Sequence, residues 1–265
     1  MTDEPGSVAF DRAADYYDAT RGLSEGGNRK QIALLTEELA PRGRVLEVGV
    51  GTGQVALPLH ATGIPVVGLD LARPMMDKLI QKAGGRAPFP LLQADATRMP
   101  FAEGVFGAAY FRWVLHLIPA WLAALAEAVR VVGLGGVVLV LPGAAGGDTP
   151  QAELHSRFAE LTGVPFEPAG LGWAGYEELD DAMGALGASA RALRRFTDLE
   201  REGLDAFLDN VERRQYSWTW RVPDDERFLD VVAEVRRFAE ARFGSLDRVP
   251  RASYEVAWRA YDLPG

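Results

Sequence analysis

The chain has 265 residues, of which 48% are hydrophobic, 25% are charged and 9% are aromatic. Such proportions are typical of a globular protein and exclude a disordered chain, a collagen and a small disulfide-bonded scaffold. The sequence contains no cysteine, which excludes thiolate catalysis, iron–sulfur clusters and cysteine zinc sites. With 28 Lys and Arg against 37 Asp and Glu, the formal net charge is −9, and this charge disfavours nucleic acid and anionic membranes as partners.

The N-terminal part of the chain comes before the first predicted strand. Residues 1–10 lack the apolar segment of a signal peptide, and no apolar stretch approaches the roughly 18 residues of a membrane span. We therefore expect a cytoplasmic protein. Residues 8–40 predict a cap of one or two helices, interrupted at residues 22–27 and ended by Pro41.

From residue 44 to residue 141, apolar runs of strand length alternate with patterns of helical spacing. The predicted strands are residues 44–48, 65–70, 90–93, 105–111 and 136–141. One intervening helix follows Pro74 and stops before Gly84, and another carries apolar residues at helical spacing from Ile118 to Val129. Alternation of this kind predicts an α/β fold, namely a doubly wound, Rossmann-like parallel sheet with right-handed crossovers.

The pattern changes after residue 141. Residues 143–187 and 199–251 predict helical lid elements over the carboxyl edge of the sheet, and residues 190–197 between them predict a strand. Large residues alternate with charged ones in residues 253–262, which predicts one half-buried final strand. We expect residues 1–265 to form a single domain.

A glycine loop follows the first predicted strand, in the sequence VLEVGVGTGQVALPL. Gly49, Gly51 and Gly53 allow a tight turn and let a ligand approach main-chain atoms that a Cβ would shield. The third glycine of a dinucleotide-binding G-x-G-x-x-G motif would fall at Gln54, which disfavours an NAD-dependent oxidoreductase.

Carboxylates end the next two predicted strands. Asp70 follows the second strand and suits a ribose diol, because an ionised carboxylate accepts two hydrogen bonds side by side. Leu71 offers an apolar face to a purine. Asp95, followed by Ala96, ends the third strand, where it can accept a hydrogen bond from an exocyclic amine. Because ligands of open α/β sheets bind beyond the carboxyl ends of the strands, these groups predict one binding site.

On these motifs the sequence resembles the class I S-adenosylmethionine-dependent methyltransferases, in particular the small-molecule branch that includes ubiquinone- and menaquinone-biosynthesis enzymes. The resemblance implies that residues 47–53 hold the methionine part of the cofactor by main-chain contacts. It also implies that Asp70 binds the ribose, that Leu71 lies beside the adenine, and that Asp95 and Ala96 bind the adenine amine. A seven-stranded sheet with its last strand antiparallel is implied as well.

Two further segments share this resemblance. Residues 14–21 are similar to the N-terminal helix that closes over the cofactor, where Tyr17 and Arg21 are expected to reach its carboxylate. Residues 111–116 resemble the motif at the mouth of methyl transfer. Arg112 in this motif is bulkier than the family's small polar residue, so we interpret it as a cofactor-binding or specificity residue, or as a salt-bridged wall. Glu47 is expected to bind backbone amides or, through water, the cofactor's amine, because an unpaired carboxylate in an apolar strand is costly.

Other polar and aromatic residues give weaker signals. His116 follows the fourth predicted strand and is the candidate catalytic base, with pocket lining or packing as the alternative. His155 lies in the predicted lid, and no histidine has a partner at metal-ligand spacing, so no metal site is predicted. Five aromatic residues are expected to enclose a flat acceptor or the sulfonium, or to pack in the core: Trp173, Tyr176, Tyr216, Trp218 and Trp220.

The sequence therefore predicts a methyltransferase that binds S-adenosylmethionine, releases S-adenosylhomocysteine, and methylates an O, N or C nucleophile of a small-molecule acceptor by direct in-line transfer. Residues 111–117 contain no proline, which disfavours the amide- and base-N-methylating enzymes with an Asn/Asp-Pro-Pro-aromatic tetrapeptide. A non-catalytic S-adenosylmethionine-binding protein remains an alternative. The acceptor and the oligomeric state have no signal in the sequence.

Overall fold

The computed structural model describes residues 10–143, 149–165, 167–172, 175–199, 202–223, 226–247 and 253–265. Its strands are β1 (Val45–Val48), β2 (Val66–Asp70), β3 (Leu91–Gln93), β4 (Ala108–Arg112), β5 (Val137–Leu141), β6 (Ser189–Ala192), β7 (Phe196–Leu199), β8 (Ser253–Val256) and β9 (Arg259–Asp262). Its helices are α1 (Tyr17–Thr20), α2 (Glu25–Leu39), α3 (Ala56–Ala61), α4 (Arg73–Lys82), α5 (Trp121–Val132), α6 (Pro150–Thr162), α7 (Tyr176–Ala185), α8 (Leu204–Glu212) and α9 (Glu226–Phe243). Short 3-10 turns occur at Asp11–Ala13, Ala40–Arg42, Leu115–Leu117 and Ser217–Arg221.

Seven strands form the main sheet, in the order β3-β2-β1-β4-β5-β9-β6. Strands β1 to β5 are parallel, and β9 is antiparallel to both β5 and β6. The predicted seven-stranded sheet with an antiparallel last strand is therefore confirmed. Strands β1, β4 and β5 are buried at every position, as expected for strands that helices cover on both faces. The strand order reverses between β1 and β4, and this switch point places the ligand crevice at their carboxyl ends.

Two of the predicted strands are wrong in extent, because each is divided in two by a bend. Residues 190–197 were expected to form one strand but belong to β6 and β7, and residues 253–262 belong to β8 and β9. At the bend, the amide of Leu193 donates to the carbonyl of Trp258 at 3.1 Å, and beyond it β7 and β8 pair as a separate two-stranded sheet. In the second segment Val256, Trp258 and Ala260 are buried at alternate positions across the bend, so the sequence pattern does not reveal it.

The fourth strand also begins later than expected. Residues 105–107 were predicted as strand, but β4 starts at Ala108. The amide of Phe106 donates to Val131 and that of Gly107 to Arg44, so this stretch bonds to two different elements. A Cβ at Gly107 would lie 1.6 Å from the carbonyl oxygen of Arg42, which makes glycine necessary at this close approach.

The break between the N-terminal helices is shorter than predicted. Helix α2 begins at Glu25, because the hydroxyl of Ser24 accepts the amide of Gly27 at 2.9 Å as an N-cap. Gly27 lies inside the helix and not in a turn. A Cβ there would lie 2.5 Å from the carboxylate of Asp198, so the glycine permits β7 to approach the helix.

Buried apolar residues form three clusters. Two lie against the main sheet, and α7 contributes Leu179 and Met183 to one of them. The third cluster lies apart from the sheet and is formed by α6, α8, α9 and the turn Ser217–Arg221, which we call the helical cover. The sequence analysis did not predict this cluster. In the described part of the chain, no helix is long and apolar enough to cross a membrane.

Candidate active site

A cavity of about 440 Å³ opens at the carboxyl edge of the main sheet. Its walls come from the N-terminal segment (residues 10–24), from the ends of β1, β2 and β4, from the loop after β3, and from the helical cover. Most of the site residues predicted from the sequence line it: Tyr17, Arg21, Gly49, Gly51, Asp70, Leu71, Asp95, Ala96, Arg112 and His116. Glu47 and Gly53 do not belong to its lining.

The glycine loop (residues 49–53) has a backbone that only glycine adopts without strain. The φ angles of Gly49, Gly51 and Gly53 are +79°, +51° and +76°. A Cβ at Gly49 would lie 2.8 Å from Val114, and one at Gly53 would lie 2.8 Å from Leu79. Gly53 therefore serves the packing of the loop on α4, whereas Gly49 and Gly51 present their main chain to the cavity.

Asp70 holds the glycine loop and the following loop together. Its Oδ2 accepts the amide of Gly51 at 2.7 Å, and its Oδ1 accepts the amide of Ala72 at 2.8 Å. Burial raises the pKa of this carboxyl above its ordinary value, and the two amide bonds oppose that rise. Because an ionised carboxylate has about four acceptor positions, the group retains capacity for a ligand hydroxyl on each oxygen.

Asp95 is held by a local turn at the end of β3. Its Oδ1 accepts both the amide and the hydroxyl of Thr97, each at 2.9 Å. The side-chain amide of Gln93 donates to the carbonyl of Leu71 at 3.0 Å, which links this turn to the loop after β2. Leu71 and Asp95 are thereby held on adjacent strand ends beside the same cavity.

Glu47 lies behind the cavity wall. Its Oε2 accepts the hydroxyl of Tyr110 at 2.8 Å, and the carboxyl also bonds to the backbone of Ala56 at the start of α3. Burial raises the pKa of Glu47 to about 8, so the carboxyl is mostly protonated at pH 7. Glu47 is 3% exposed and does not line the cavity, and its expected water-mediated contact with the cofactor's amine stays a prediction.

Arg112 extends from the end of β4 toward the glycine loop. Its Nη1 donates to Gln54 at 3.1 Å, and its Cζ lies 3.8 Å from the centre of the Trp113 ring. In the described part of the chain no ion pair involves Arg112, and its Nε is buried without a hydrogen-bond partner. The interpretation of Arg112 as a salt-bridged wall is therefore wrong. Trp113 has a φ of +54°, a strained value for a non-glycine residue beside the cavity.

Arg21 points to the opposite wall of the cavity. Its Nη1 donates to the carbonyl of Thr20 at 3.0 Å, its Nη2 lies 3.4 Å from the carbonyl of Gln215, and its Cζ lies 4.4 Å from the ring centre of Tyr216. Within the described ranges, no carboxylate forms an ion pair with Arg21. Tyr17, one turn before it, lines the same cavity.

The N-terminal segment is attached to the glycine loop and α4 by polar contacts. Asp18 accepts the hydroxyl of Thr52 at 2.6 Å and the side-chain amide of Gln54 at 2.9 Å, and it pairs with Lys82 at 2.8 Å. Asp15 pairs with Lys78 at 2.8 Å. These contacts hold the segment over the glycine loop.

The helical cover supplies groups that sequence reasoning missed. His155 and Gln151 of α6 line the cavity with Glu202, because packing of the cover brings α6 over the sheet edge. The distance in sequence between these three residues and the motifs of the sheet does not predict that they line the same cavity. Of the five predicted aromatic residues, Tyr216 and Trp218 line the cavity, Tyr176 and Trp220 do not, and Trp173 lies outside the described residues.

The two histidines that line the cavity both have a lowered pKa. Burial, with a contribution from the charge of Arg21, lowers the pKa of His116 and of His155 to about 4. Both imidazoles are therefore neutral at pH 7. The ring of His155 lies 4.9 Å from that of Trp218 and 5.1 Å from that of Phe207, which fixes it in the cover. Across the described ranges, no group of three or more histidine, aspartate or glutamate residues could hold a metal ion.

Comparison with known proteins relates this chain to methyltransferases. Residues 46–140 match the family model described as a methyltransferase domain. The chain is 37% identical over 139 residues to the demethylmenaquinone methyltransferase of Thermus thermophilus, with 50% of this chain and 63% of that protein covered. It is 32% identical over 136 residues to the malonyl-[acyl-carrier protein] O-methyltransferase of Legionella pneumophila, with 50% of this chain and 48% of that protein covered. The chain thus spans about half to under two thirds of these relatives.

A longer share of a third relative is matched. The chain is 30% identical over 170 residues to the phosphatidylethanolamine N-methyltransferase of Cereibacter sphaeroides, with 63% of this chain and 79% of that protein covered. Among solved structures, the YcgJ protein of a Bacillus species superposes with a TM-score of 0.58 at 18% identity, over 89% of this chain and 100% of that one. At that identity the superposition shows the fold alone.

Proposed function

The chain belongs to the class I S-adenosylmethionine-dependent methyltransferases, and we propose that it transfers a methyl group from S-adenosylmethionine to a small-molecule acceptor. One observation carries this proposal: residues from the N-terminal segment, the glycine loop and three neighbouring strand ends line one cavity at the switch point of the sheet. The relatives with assigned activities methylate different acceptors, so their acceptors do not transfer to this chain.

The residues of the sheet edge fit the cofactor. The glycine loop offers main-chain atoms where a Cβ at Gly49 would meet Val114, and Asp70 keeps acceptor capacity for a ribose diol. Arg112 has a buried Nε without a hydrogen-bond partner in the described ranges, and its guanidinium suits the cofactor's carboxylate. Asp95 and Leu71 suit the adenine amine and ring.

Gln54 argues against a dinucleotide in the same place. Its side chain bonds to Asp18, to the carbonyl of Arg21 and to Arg112, so it fills the position where a dinucleotide motif requires its third glycine. The NAD-dependent oxidoreductase therefore has less support than the methyltransferase. The relatives named above are all methyltransferases, which favours transfer over a non-catalytic binding protein.

When bound, S-adenosylmethionine supplies an electrophilic methyl group on a positively charged sulfur. The chain's own residues then position the reactants and exclude water. His116 is neutral at pH 7, so its imidazole can accept a hydrogen bond from an acceptor hydroxyl or donate one to an anion. With a pKa of about 4 it is a weak base, and orientation of the acceptor suits it better than storage of a proton.

Asp70→Ala tests the cofactor site. We expect the affinity for S-adenosylhomocysteine to fall at least about tenfold, because charge-assisted hydrogen bonds to the ribose are lost. Some stability is lost as well, since the amides of Gly51 and Ala72 lose their acceptor. Titration calorimetry measures the affinity, and Asp77→Ala, which removes an exposed carboxylate of α4, is the matched control.

Transfer is tested with methyl-labelled S-adenosylmethionine and a metabolite extract. We expect the label to move to a small molecule that gains one methyl group. Binding of the cofactor without any labelled product would assign a non-catalytic protein instead. Stabilisation by NAD(H) but not by S-adenosylhomocysteine in a thermal shift assay would overturn the whole assignment.

A further inference from the structure

Gln54, the residue directly after the glycine loop, is held at both ends of its side-chain amide. Its Nε2 donates to the carboxylate of Asp18 at 2.9 Å and to the main-chain carbonyl of Arg21 at 3.0 Å. Its Oε1 accepts Nη1 of Arg112 at 3.1 Å. The side chain therefore connects the N-terminal segment with the end of β4, and it does not belong to the lining of the cavity.

The orientation of this amide is determined by its partners. A carboxylate and a main-chain carbonyl only accept hydrogen bonds, so the amino end of Gln54 must face Asp18 and Arg21. A guanidinium only donates, so the carbonyl end must face Arg112. Burial opposes the charge of Asp18, but hydrogen bonds from three neighbours, Gln54 among them, bring its pKa below the ordinary value. The acid is therefore ionised at pH 7 and remains an acceptor for the amide.

The main chain of the N-terminal segment lies directly against the Gln54 side chain. Gly22 has a φ of +120°, and a Cβ there would lie 2.9 Å from Oε1 of Gln54. Glycine thus permits a contact from which a larger residue would displace the amide. Tyr17 and Arg21 of the same segment line the cavity. The bonds to Gln54 therefore fix one wall of the cavity together with the segment.

Arg112 depends on Gln54 for its orientation. The side chain is 9% exposed, and burial lowers the pKa of its guanidinium below the ordinary value. Within the described ranges Gln54 is its hydrogen-bond acceptor, and Nε is buried without one. The guanidinium carbon lies 3.8 Å from the centre of the Trp113 ring. The ring supports the plane of the guanidinium, and the bond to Gln54 sets its rotation within that plane.

The rotation of Arg112 matters for one part of the cofactor. The proposed function gives its guanidinium the cofactor's carboxylate, and the neighbouring acid Glu47 is mostly protonated at pH 7 and does not supply a full charge in its place. Pairing of a guanidinium with a carboxylate is directional, because two parallel N–H groups meet two oxygens. An error in the rotation of Arg112 therefore weakens the contact with the amino-acid part and leaves the adenosine part unaffected.

We propose that Gln54 is a positioning residue for the cofactor: its amino end is anchored on the N-terminal segment, and its carbonyl end orients Arg112 toward the carboxylate of the methionine part. This inference rests on the proposed function and adds to it a residue that does not touch the ligand. Gln54 engages only the main-chain carbonyl of Arg21, so the guanidinium of Arg21 keeps the contact with the cofactor that the family resemblance implies.

Two ligands that share the adenosine and the sulfur test this proposal. S-adenosylhomocysteine carries the amino-acid carboxylate, and methylthioadenosine has a methyl group in place of the whole amino-acid part. Each is titrated into the full-length protein by calorimetry. Gln54→Ala should weaken S-adenosylhomocysteine about tenfold, the loss typical of one hydrogen bond to a charged group, and should change the affinity for methylthioadenosine less than about twofold. Equal losses of both ligands, or no loss of S-adenosylhomocysteine, overturn the proposal.

Gln54→Glu tests the anchored end of the amide. The carboxylate still accepts from Arg112, but it cannot donate to Asp18 or to the carbonyl of Arg21, and it competes with the ligand's carboxylate for the guanidinium. We expect S-adenosylhomocysteine to lose at least as much affinity as in Gln54→Ala, again without loss of methylthioadenosine. Wild-type affinity for S-adenosylhomocysteine in this variant would contradict the proposal. Gln81→Ala is the matched control, because Gln81 of α4 is exposed and does not line the cavity.

A double-mutant cycle tests the route through Arg112. In the Arg112→Gln background no guanidinium remains to be oriented, so adding Gln54→Ala should weaken S-adenosylhomocysteine less than about threefold. A further tenfold loss in that background would show that Gln54 acts by another route and would overturn the proposal. Failure of the wild-type protein to bind either ligand would instead overturn the proposed function, so the two failures are distinguishable.

Discussion

At the carboxyl edge of the main sheet, cavity residues are held by main-chain hydrogen bonds, whereas in the helical cover they are held by packed aromatic side chains. Asp70 is bonded to the amides of Gly51 and Ala72, and Asp95 to the amide of Thr97. In the cover, His155 contacts the rings of Phe207 and Trp218. From this difference we infer that the half of the site at the sheet edge, which would hold the cofactor, depends on backbone geometry. The half formed by the helical cover, which would hold the acceptor, depends on an apolar cluster of its own.

The largest expected effect comes from removing a ring of that cluster. Phe158 is 3% exposed, and its ring lies 5.0 Å from that of Trp218 and 5.8 Å from that of Phe228. Phe158→Ala should lower the free energy of unfolding by about 3–5 kcal/mol. Because Trp218 lines the cavity, acceptor binding should fall with it, while affinity for S-adenosylhomocysteine should change less than about threefold.

Phe106→Ala provides the comparison for this variant. Phe106 is equally buried, at 3% exposure, and packs on Phe101 in a cluster against the sheet, away from the cavity. Urea unfolding should show a similar loss of stability without loss of acceptor binding. Equal losses of both ligands in Phe158→Ala would show that the two halves of the site do not depend on separate packing.

The next largest effect concerns the backbone of the cofactor half. Gly49→Ala places a Cβ 2.8 Å from Val114 at a φ of +79°, so the glycine loop must move. We expect affinity for S-adenosylhomocysteine to fall by about 100-fold, since a displacement of about 1 Å is costly in a positioned site. Calorimetry measures this loss.

Gly63→Ala is the matched control for the loop. Gly63 also has a positive φ, of +94°, but a Cβ there would meet nothing within 4 Å. Its cost should be limited to backbone strain of about 1–2 kcal/mol in stability, with unchanged affinity. A similar affinity in the Gly49 and Gly63 variants would refute the close approach of ligand and loop.

A smaller effect is the pH dependence of stability that comes from Glu47, the buried acid under the glycine loop. The pKa of Glu47 is raised from 4.5 to about 8 in the folded protein, so the folded state holds an extra proton between these values. Its contribution to stability is therefore complete below pH 4.5 and is lost as the pH rises through 8. Between about pH 6.5 and pH 8 the titration of Glu47 should lower the free energy of unfolding by ~2 kcal/mol, and the two buried histidines, which are partly protonated near pH 6.5 only in the unfolded chain, should offset part of this fall.

Glu47→Gln should remove this fall, because the amide keeps an acceptor for Tyr110 and does not titrate. Urea unfolding of the wild type and the variant at several pH values across this window measures it. A wild-type stability that is constant over the window, or a fall that the variant retains, would contradict the assignment of this proton to Glu47.

The smallest expected effect concerns the attachment of the N-terminal segment. Lys82 and Asp18 are 36% and 43% exposed in their side chains, and ion pairs at such sites contribute about 0–1 kcal/mol. Lys82→Ala should weaken S-adenosylhomocysteine about two- to threefold at low salt, and the difference should vanish near 1 M salt. Arg29→Ala, which removes a surface ion pair with Glu25 on α2, should have no effect at either salt concentration. A loss that persists at high salt would exclude an electrostatic origin.

The sequence by itself determined the sheet, the glycine loop and the acids that follow β2 and β3. These features depend on local rules: apolar runs form buried strands, positive φ angles favour glycine, and parallel strands end at one edge. The positions of Gly49, Asp70 and Asp95 beside one cavity follow from that order alone.

Only the tertiary structure decided what faces these residues. His155, Gln151 and Glu202 reach the cavity because the third apolar cluster folds the cover over the sheet edge, and no spacing in the sequence encodes that contact. The bend between β8 and β9 is hidden for a similar reason, since Val256, Trp258 and Ala260 remain buried at alternate positions across it. Arg21 contacts Gln215 and Tyr216 of the helical cover, and Arg112 contacts Gln54 after the glycine loop. Long-range packing brings these residues together, so the sequence alone does not predict their contacts.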